Sequence, residues 1–508
     1  MQPQNKLSEL EQLAEVLGNL RTEGKRIVHC HGVFDLLHVG HIKHFEAARH
    51  LGDVLVVTIT PDRFVNKGDG RPVFPEALRA EAIAALQCVD YVAVNRWPTA
   101  VEAIRLLKPN LYVKGSEYRN AQKDITGKIV DEEEAVRQVG GRMEFTDEIT
   151  FSSSRLINRH TESLPPRVRE YLSEFSARHA LSDVLSYIER ATNLRVLVIG
   201  EAIIDEYEYC EAIGKSSKEP ILALRHQSIE RFAGGILAVG NHVANFCDQV
   251  GMVTMLGEQN SHEEFIREKL APSIEPVFVR RKASPTVVKR RIVEGYFFQK
   301  LLEIYDMNDG ALDSEDDRGL CQALEQQVPR YDVVIVVDFG HGMMSKEAVQ
   351  ITCKRAKFLA VNAQANAGNR GFHTISKYPR ADYVSKAENE IRLEARDQRG
   401  EIRDIIVQIA ERLKIPRLAV TRGSNGAILY DQQNGLVETP ALASKVVDRI
   451  GAGDAFLSVT ALCAAQGAPS DIVGLIGNVV GAQAVAMVGN RNAVDRLAVM
   501  RQIETLLK

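Results

Sequence analysis

Apolar positions fall into short blocks whose period changes repeatedly along the chain. Leu7, Leu10, Leu13, Leu17 and Leu20 recur at helical spacing across residues 6–23. A compact apolar run at 26–31 then predicts a strand, a helix follows from about His41, and 54–60 predicts a second strand. Further strands are expected at 91–94 and 111–114, so the front of the chain alternates strand and helix as parallel α/β sheets do. Residues 158–193 are polar and helix-prone and include Pro165-Pro166, which predicts a helical linker at 159–193 after a first domain at 1–158. A second α/β domain is expected over 194–508. It opens with a buried strand at 194–200 and continues with strands at 253–256, 277–279, 332–337, 358–361, 383–384, 418–421 and 427–430.

Composition narrows the function classes. The 508 residues are 45% apolar and 26% charged with a formal net charge of -4, which gives no bulk electrostatic reason to expect nucleic acid. Seven dispersed cysteines without a C-x-x-C pair point to a reducing compartment rather than a disulfide framework. Early charges such as Lys6, Glu9 and Glu11 interrupt any signal-peptide core, and apolar runs such as 333–337 are too short to span a bilayer. The expectation is a cytoplasmic protein without a membrane partner.

Two stretches carry chemistry. Gly32-Val33-Phe34-Asp35-Leu36-Leu37-His38-Val39-Gly40-His41 lies where a strand ends and a helix begins, the usual ligand position in open parallel sheets. His38 and His41 can share a direction at a helix N-terminus that already favours an anion, and Gly40 lets a phosphate approach the backbone. The alternatives are a structural metal site or an ordinary helix start, and no cysteine or acid cluster stands beside the pair to complete a metal site. The second stretch is Asp448-Arg449-Ile450-Gly451-Ala452-Gly453-Asp454 before an apolar helix. Its amides suit a developing negative charge, and Asp454 stands where a carboxylate can take a proton from an attacking hydroxyl.

The front region also contains Lys67-Gly68-Asp69-Gly70-Arg71-Pro72 with Arg79 downstream, Val113-Lys114-Gly115-Ser116-Glu117-Tyr118, and Phe151-Ser152-Ser153-Ser154-Arg155. Together with the H-x-G-H stretch these resemble the cytidylyltransferase-like nucleotidyltransferases, most closely the adenylyltransferase half of the bifunctional heptose enzymes, across about residues 10–158. The resemblance implies a Rossmann-like fold in which His38 and His41 stabilise the transferring α-phosphate and Lys67 holds triphosphate oxygens. It also implies nucleotide contacts from Gly32, Val33, Phe34, Gly40, Arg71, Ser152, Ser153, Ser154 and Arg155. His31 stands where the heptose enzymes usually have Asn, and Ser116-Glu117 replaces their Gly-Asp.

Residues 194–505 resemble the ribokinase (PfkB) family of carbohydrate kinases through Gly200-Glu201-Ala202-Ile203-Ile204-Asp205, Gly234-Gly235, Thr421-Arg422-Gly423-Ser424-Asn425-Gly426 and the Gly451 to Asp454 turn. The resemblance implies sugar contacts from Asp205, Gly234, Gly235 and Asn241. It implies a catalytic base at Asp454, an anion hole at Gly451, Ala452 and Gly453, and nucleotide-side contacts from Thr421, Gly423, Gly426 and Asn478. The magnesium-linked N-x-x-E motif lacks its Asn here, reading Ala387-Glu388-Asn389-Glu390, so Glu390 alone remains as an indirect metal contact. Asn362-Ala363-Gln364 replaces the Asp-Pro-Lys of the heptose kinases, and Arg449 replaces a common Thr.

The two halves stand in the reverse of the order found in the heptose enzymes. The expected function is phosphorylation of a sugar or sugar phosphate by ATP, and nucleotidyl transfer from ATP or CTP to a sugar 1-phosphate, with Mg²⁺ at both sites. The expected partner is a second copy, through the kinase domain. The alternative keeps only the front enzyme, with a degenerate kinase as a sugar-binding or dimerisation module. Gly214-Lys215-Ser216 is not a P-loop end, because Tyr209 stands where Gly is required.

Overall fold

The structure, a computed structural model, describes residues 3–65, 71–116, 128–146 and 164–508. The chain divides into two compact units, Met1–Ser173 with Met500–Lys508, and Glu174–Val499.

The first unit is built on five parallel strands, β1 (Ile27–Gly32), β2 (Val54–Ile59), β3 (Tyr91–Val94), β4 (Leu111–Gly115) and β5 (Arg142–Thr146), in the order β3-β2-β1-β4-β5. The chain winds outward from β1 to β3, then returns to place β4 on the other side of β1. The carboxyl end of β1 is therefore a topological switch point, where the loops on either side diverge and leave a crevice. Strand β2 is buried along its whole length, as a central parallel strand must be. Leu10, Leu13 and Leu17 of the helix Leu10–Thr22 are buried, so the predicted leucine face is the packed face. The helix after β1 spans Val39–Arg49, beginning two residues earlier than predicted because His38 itself caps it.

The linker region holds two helices, Pro166–Arg178 and Leu181–Arg190. The second buries Val184, Leu185 and Ile188, and Gln466 Nε2 donates to its Tyr187 carbonyl at 2.9 Å.

The second unit contains β6 (Arg195–Lys215), β7 (Leu222–Gly235), β8 (Gln249–Gln259), β9 (Ile274–Pro285), β10 (Val287–Glu294), β11 (Gln299–Asp306), β12 (Val333–Asp338), β13 (Phe358–Ala363), β14 (Tyr383–Ala387), β15 (Arg417–Thr421), β16 (Ala427–Asp431) and β17 (Gly435–Thr439). Strand β6 runs 21 residues, far beyond the predicted end at Gly200. Its first part pairs in parallel with β8 and β12 inside a central sheet that continues through β13, β14 and β15. Its later part pairs antiparallel with β7 and parallel with β10, and β11 completes a four-stranded lid sheet. Strands β7, β10 and β11 escape prediction because charged residues interrupt them, as in Lys289-Arg290-Arg291, and leave no continuous apolar run.

The helices Ala452–Ala465 and Ser470–Val485 are buried almost all round, so they belong to the core rather than its surface. At Gly200, where β6 leaves the central sheet, an added Cβ would lie 2.2 Å from the Val337 carbonyl oxygen of the paired strand. The neighbour is backbone and cannot step aside. Gly200→Ala is expected to destabilise the second unit by about 1–3 kcal/mol. Gly319→Ala lies on the helix Ser314–Gln327, where a Cβ would meet only Val279 Cγ1 at 3.9 Å. It is expected to gain up to about 1 kcal/mol through helix propensity. Urea unfolding of the two variants should move in opposite directions.

Candidate functional sites

At the carboxyl end of β1 the backbone turns through Phe34, whose φ of 48° is in the left-handed region. A Cβ on Gly32 would stand 2.9 Å from Phe34 Cζ, so a larger residue there would displace the Phe34 ring. His38 accepts a hydrogen bond from Gly40 N at its own Nδ1, at 3.1 Å. That bond needs an unprotonated Nδ1, so the neutral ring carries its proton on Nε2. Burial lowers the His38 pKa, which keeps the ring neutral near pH 7. The His41 ring stacks on His38 with centroids 3.8 Å apart and meets the Phe34 ring edge-on at 5.3 Å. The two imidazoles therefore stand together at the first turn of a helix over the switch point, as predicted.

Two buried groups hold the surrounding loops. Arg79 Nη2 donates to the Thr60 carbonyl at 3.0 Å and Asp62 at 2.5 Å, its Nε donates to the Phe74 carbonyl at 2.9 Å, and its Nη1 donates to the Val33 carbonyl. Asp35 accepts from Val73 N at 2.5 Å and pairs with Arg71 at 3.3 Å. Arg71, expected to contact nucleotide, thus lies buried against Asp35. Beneath the loop, Thr58 Oγ1 is shared by His29 Nε2 at 2.7 Å and His31 Nδ1 at 2.8 Å. Lys67, Ser152, Ser153, Ser154 and Arg155 lie outside the described residues.

In the second unit a cavity of about 330 Å³ opens between the central sheet and the lid. Asp454, in the first turn of the helix Ala452–Ala465, lines it together with Asp205, Gly235, Gly451 and Gly453. Gly451 has φ +83°, and a Cβ there would strike Asn490 Oδ1 at 2.1 Å. Asp448 holds the preceding loop by accepting from Tyr207 Oη at 2.7 Å, Lys300 Nζ at 2.5 Å, Ile450 N at 3.1 Å and Gly489 N at 3.0 Å. Asp454 is buried, and its Oδ1 has no hydrogen-bond partner among the described residues. Burial, reinforced by the charge of Asp205 and opposed by Lys289, pushes its pKa up to about 7.

Asp205 is placed by β6 and pairs with Arg291 Nη1 at 2.5 Å, while Arg291 Nε reaches Glu303 at 2.7 Å. A Cβ on Gly234 would fall 2.1 Å from Asp205 Oδ2, so Gly234 leaves room for the carboxylate, while a Cβ on Gly235 would meet the Glu201 carbonyl at 2.7 Å. Lys289, Arg291 and Arg449 also line the cavity. In sequence, Arg290-Arg291 reads as a basic pair that suits either a solvated face or a sugar-phosphate contact, and Lys289 carries no signal of its own. The signal that could have found them is their alternation at 289 and 291, which sends both side chains to one face of a strand.

Other expected residues stand elsewhere. Asn241 spends its side chain on the Lys269 carbonyl at 2.9 Å and on Ala271 N at 2.8 Å, tying its helix to a loop instead of lining the cavity. Asn478 donates to Thr439 Oγ1 at 2.6 Å and the Gly474 carbonyl at 3.0 Å. Gly423 and Gly426, with φ of +55° and +83°, shape the turn after Thr421 between β15 and β16, outside the cavity lining. Asp338 ends β12 fully buried, bonded by Lys377 Nζ and Tyr378 Oη at 2.8 Å each.

Glu390 does not fit a direct metal ligand. Its Oε1 accepts from Ala365 N and its Oε2 from Ala387 N, each at 3.0 Å, and the buried Lys386 ammonium stands 3.4 Å from Oε2. An ammonium at that distance repels a divalent cation from the same carboxylate.

The description "pfkB family carbohydrate kinase" matches residues 193–496. The chain belongs to this family. The description "Cytidylyltransferase-like" matches residues 29–159, so the nucleotidyltransferase-like domain precedes the kinase domain. The N-terminal domain is similar to the bifunctional protein HldE of Geobacter metallireducens, 40% identical over 152 residues. That match covers 30% of this chain and 29% of the relative's length. The HldE of Aliarcobacter butzleri is 44% identical over 137 residues, covering 26% and 28% respectively. The matched region is thus under a third of these relatives. A crystal structure of a phosphofructokinase-2 mutant from Escherichia coli aligns with a TM-score of 0.51 at 13% identity, over 62% of this chain and all of that one, a likeness of fold alone.

The state of Asp454 predicts a pH dependence of stability for the pfkB domain. Below about pH 4 the carboxyl is protonated both folded and unfolded, and above about pH 7 the folded chain must ionise a buried group that the unfolded chain ionises freely. Stability is therefore lost as pH rises from 4 to 7. Asp454→Asn is expected to stabilise the unliganded protein by up to about 4 kcal/mol at pH 8 and by little at pH 4. Denaturant midpoints of both forms across that range check it.

Proposed function

We propose that the chain is a bifunctional enzyme of nucleotide-activated sugar synthesis, of the heptose type. A nucleotidyltransferase domain at 1–158 joins a carbohydrate kinase domain at 194–508 through a helical linker at 159–193. The observation that carries the kinase reading is the buried Asp454, whose Oδ1 has no partner among the described residues, beside Gly451 and Gly453 in a cavity that also holds Asp205. A sugar hydroxyl attacks the γ-phosphorus of ATP, Asp454 takes the hydroxyl proton as the bond forms, and ADP leaves. Lys289 and Arg449, both lining the cavity, favour a substrate that already carries a phosphate.

In the front domain an oxygen of the sugar 1-phosphate attacks the α-phosphorus of ATP or CTP and pyrophosphate leaves. The Nε2–H of His38 and the stacked His41 stabilise charge on the α-phosphate. Lys67 and the Ser152 to Arg155 segment complete the phosphate contacts. Mg²⁺, bound together with the nucleotide, would neutralise polyphosphate charge at both sites. Half-exposed Ile229, Leu302 and Ile304 on the lid sheet support a homodimer through the kinase domain. Seven free cysteines support a cytoplasmic location. No helix among the described residues is long and apolar enough to cross a membrane.

A second reading, a degenerate kinase that binds sugar or dimerises, is favoured by the Lys386–Glu390 pair. Mass spectrometry of products from a panel of heptose and hexose phosphates with all four NTPs separates the readings. A phosphorylated and a nucleotidylated sugar are expected; no phosphorylation of any sugar by the wild type would leave the front activity alone.

His41→Ala is expected to lower nucleotidyl transfer by roughly 10²-fold or more and to leave phosphorylation within a few-fold. Asp454→Asn is expected to do the reverse, abolishing phosphorylation with ATP affinity retained. Separate steady-state assays of the two reactions on each variant check both, and a near wild-type rate in either targeted reaction would remove that residue from its role.

A further inference from the structure

Outside both sites, one group of side chains among the described residues combines three kinds of metal-binding donor. It comprises Glu208 and Cys210 on β6 and His226 on β7. Residues 208 and 210 are two apart on one strand, so their side chains leave the same face of the lid. In an unbroken ladder His226 would leave the opposite face. Tyr209 pairs with Ser228, and the same register would set Gln227 opposite Cys210. The register slips at this point, and Cys210 pairs with His226 instead. The additional residue on β7 brings the imidazole to the side of the thiol.

One ligand atom from each residue lies within 4.8 Å of the others, and His226 Nδ1 is 3.2 Å from Glu208 Oε1. Cys210 is buried, whereas the side chains of Glu208 and His226 are 26% and 53% exposed, so a cation can arrive from solvent. Arg290, a competing cation 3.9 Å from Glu208, is engaged by Glu206. Glu294 of β10 stands beside Cys210 in the ladder and adds negative charge.

Thiolate, imidazole and carboxylate together match a borderline-soft ion of tetrahedral preference, while Mg²⁺ and Ca²⁺ take oxygen ligands. We propose that Glu208, Cys210 and His226 form a zinc-type site with three protein ligands and a water in the fourth position. Binding displaces the thiol proton to solvent and ties β6 to β7 at the bulge. The site is independent of the proposed catalysis.

The test titrates the full chain, stripped by chelator, with Co²⁺ in the absence of nucleotide. One Co²⁺ per chain is expected, with a thiolate-to-cobalt charge-transfer band that Zn²⁺ displaces. Cys210→Ser should abolish the band, and His226→Ala should weaken Zn²⁺ binding by about tenfold or more. Cys88→Ser and Cys321→Ser, at the partly exposed thiols, should change neither. Absence of the band in the wild type, or its survival in Cys210→Ser, overturns the site. Unchanged Zn²⁺ affinity in His226→Ala overturns it as well, and that half-exposed position decides alone if the buried serine disturbs the strand.

Discussion

Strand β6 is hydrogen-bonded on both edges along most of its length, but to different partners in its two parts. Residues 195–201 are held between β8 and β12, and residues 203–210 between β7 and β10. A backbone committed on both sides has little freedom to move, so the side chains it carries inherit positions set by two sheets at once. Asp205 lies just past the passage from one sheet to the other, where the sheets part and the cavity opens. Gly200 and Gly234 follow from the same constraint: one admits the Val337 carbonyl and the other the Asp205 carboxylate, each too close for a side chain.

The cavity holds two buried carboxylates that meet burial in different ways. Asp205 is paired with Arg291, which reaches Glu303 as well, so its charge is compensated within the fold. Asp454 has no such partner among the described residues, and its pKa rises to about 7. A charge-compensated carboxylate beside an uncompensated one suits a division of work, with one as a fixed polar contact and the other as a proton acceptor. Lys386 does something comparable a short distance away, holding Glu390 with an ammonium inside the protein.

In the front domain, rigidity comes from ordinary groups used fully. Arg79 gathers three carbonyls and one carboxylate from the segments around the switch point, and His38 uses one nitrogen to start its helix so that the other keeps the proton. Positioning and charge stabilisation are what phosphoryl and nucleotidyl transfer require of a protein.

The sequence by itself determined the parallel strand–helix alternation of both domains, the helix-start histidines and the Gly-Ala-Gly-Asp turn. Those features are local: apolar blocks of a given period, and glycines and acids at fixed offsets from a helix start. Tertiary structure alone decided the extent of β6, the lid strands β7, β10 and β11, and the cations Lys289 and Arg291 in the cavity. It also decided that Asn241 serves a loop, that Arg71 lies against Asp35, and that Glu390 answers to Lys386. The lid strands have polar faces whose burial comes from pairing rather than from an apolar run, so periodicity passes over them. A polar side chain's partner depends on which distant backbone group folding brings within about 3 Å, and no spacing along the chain encodes that distance.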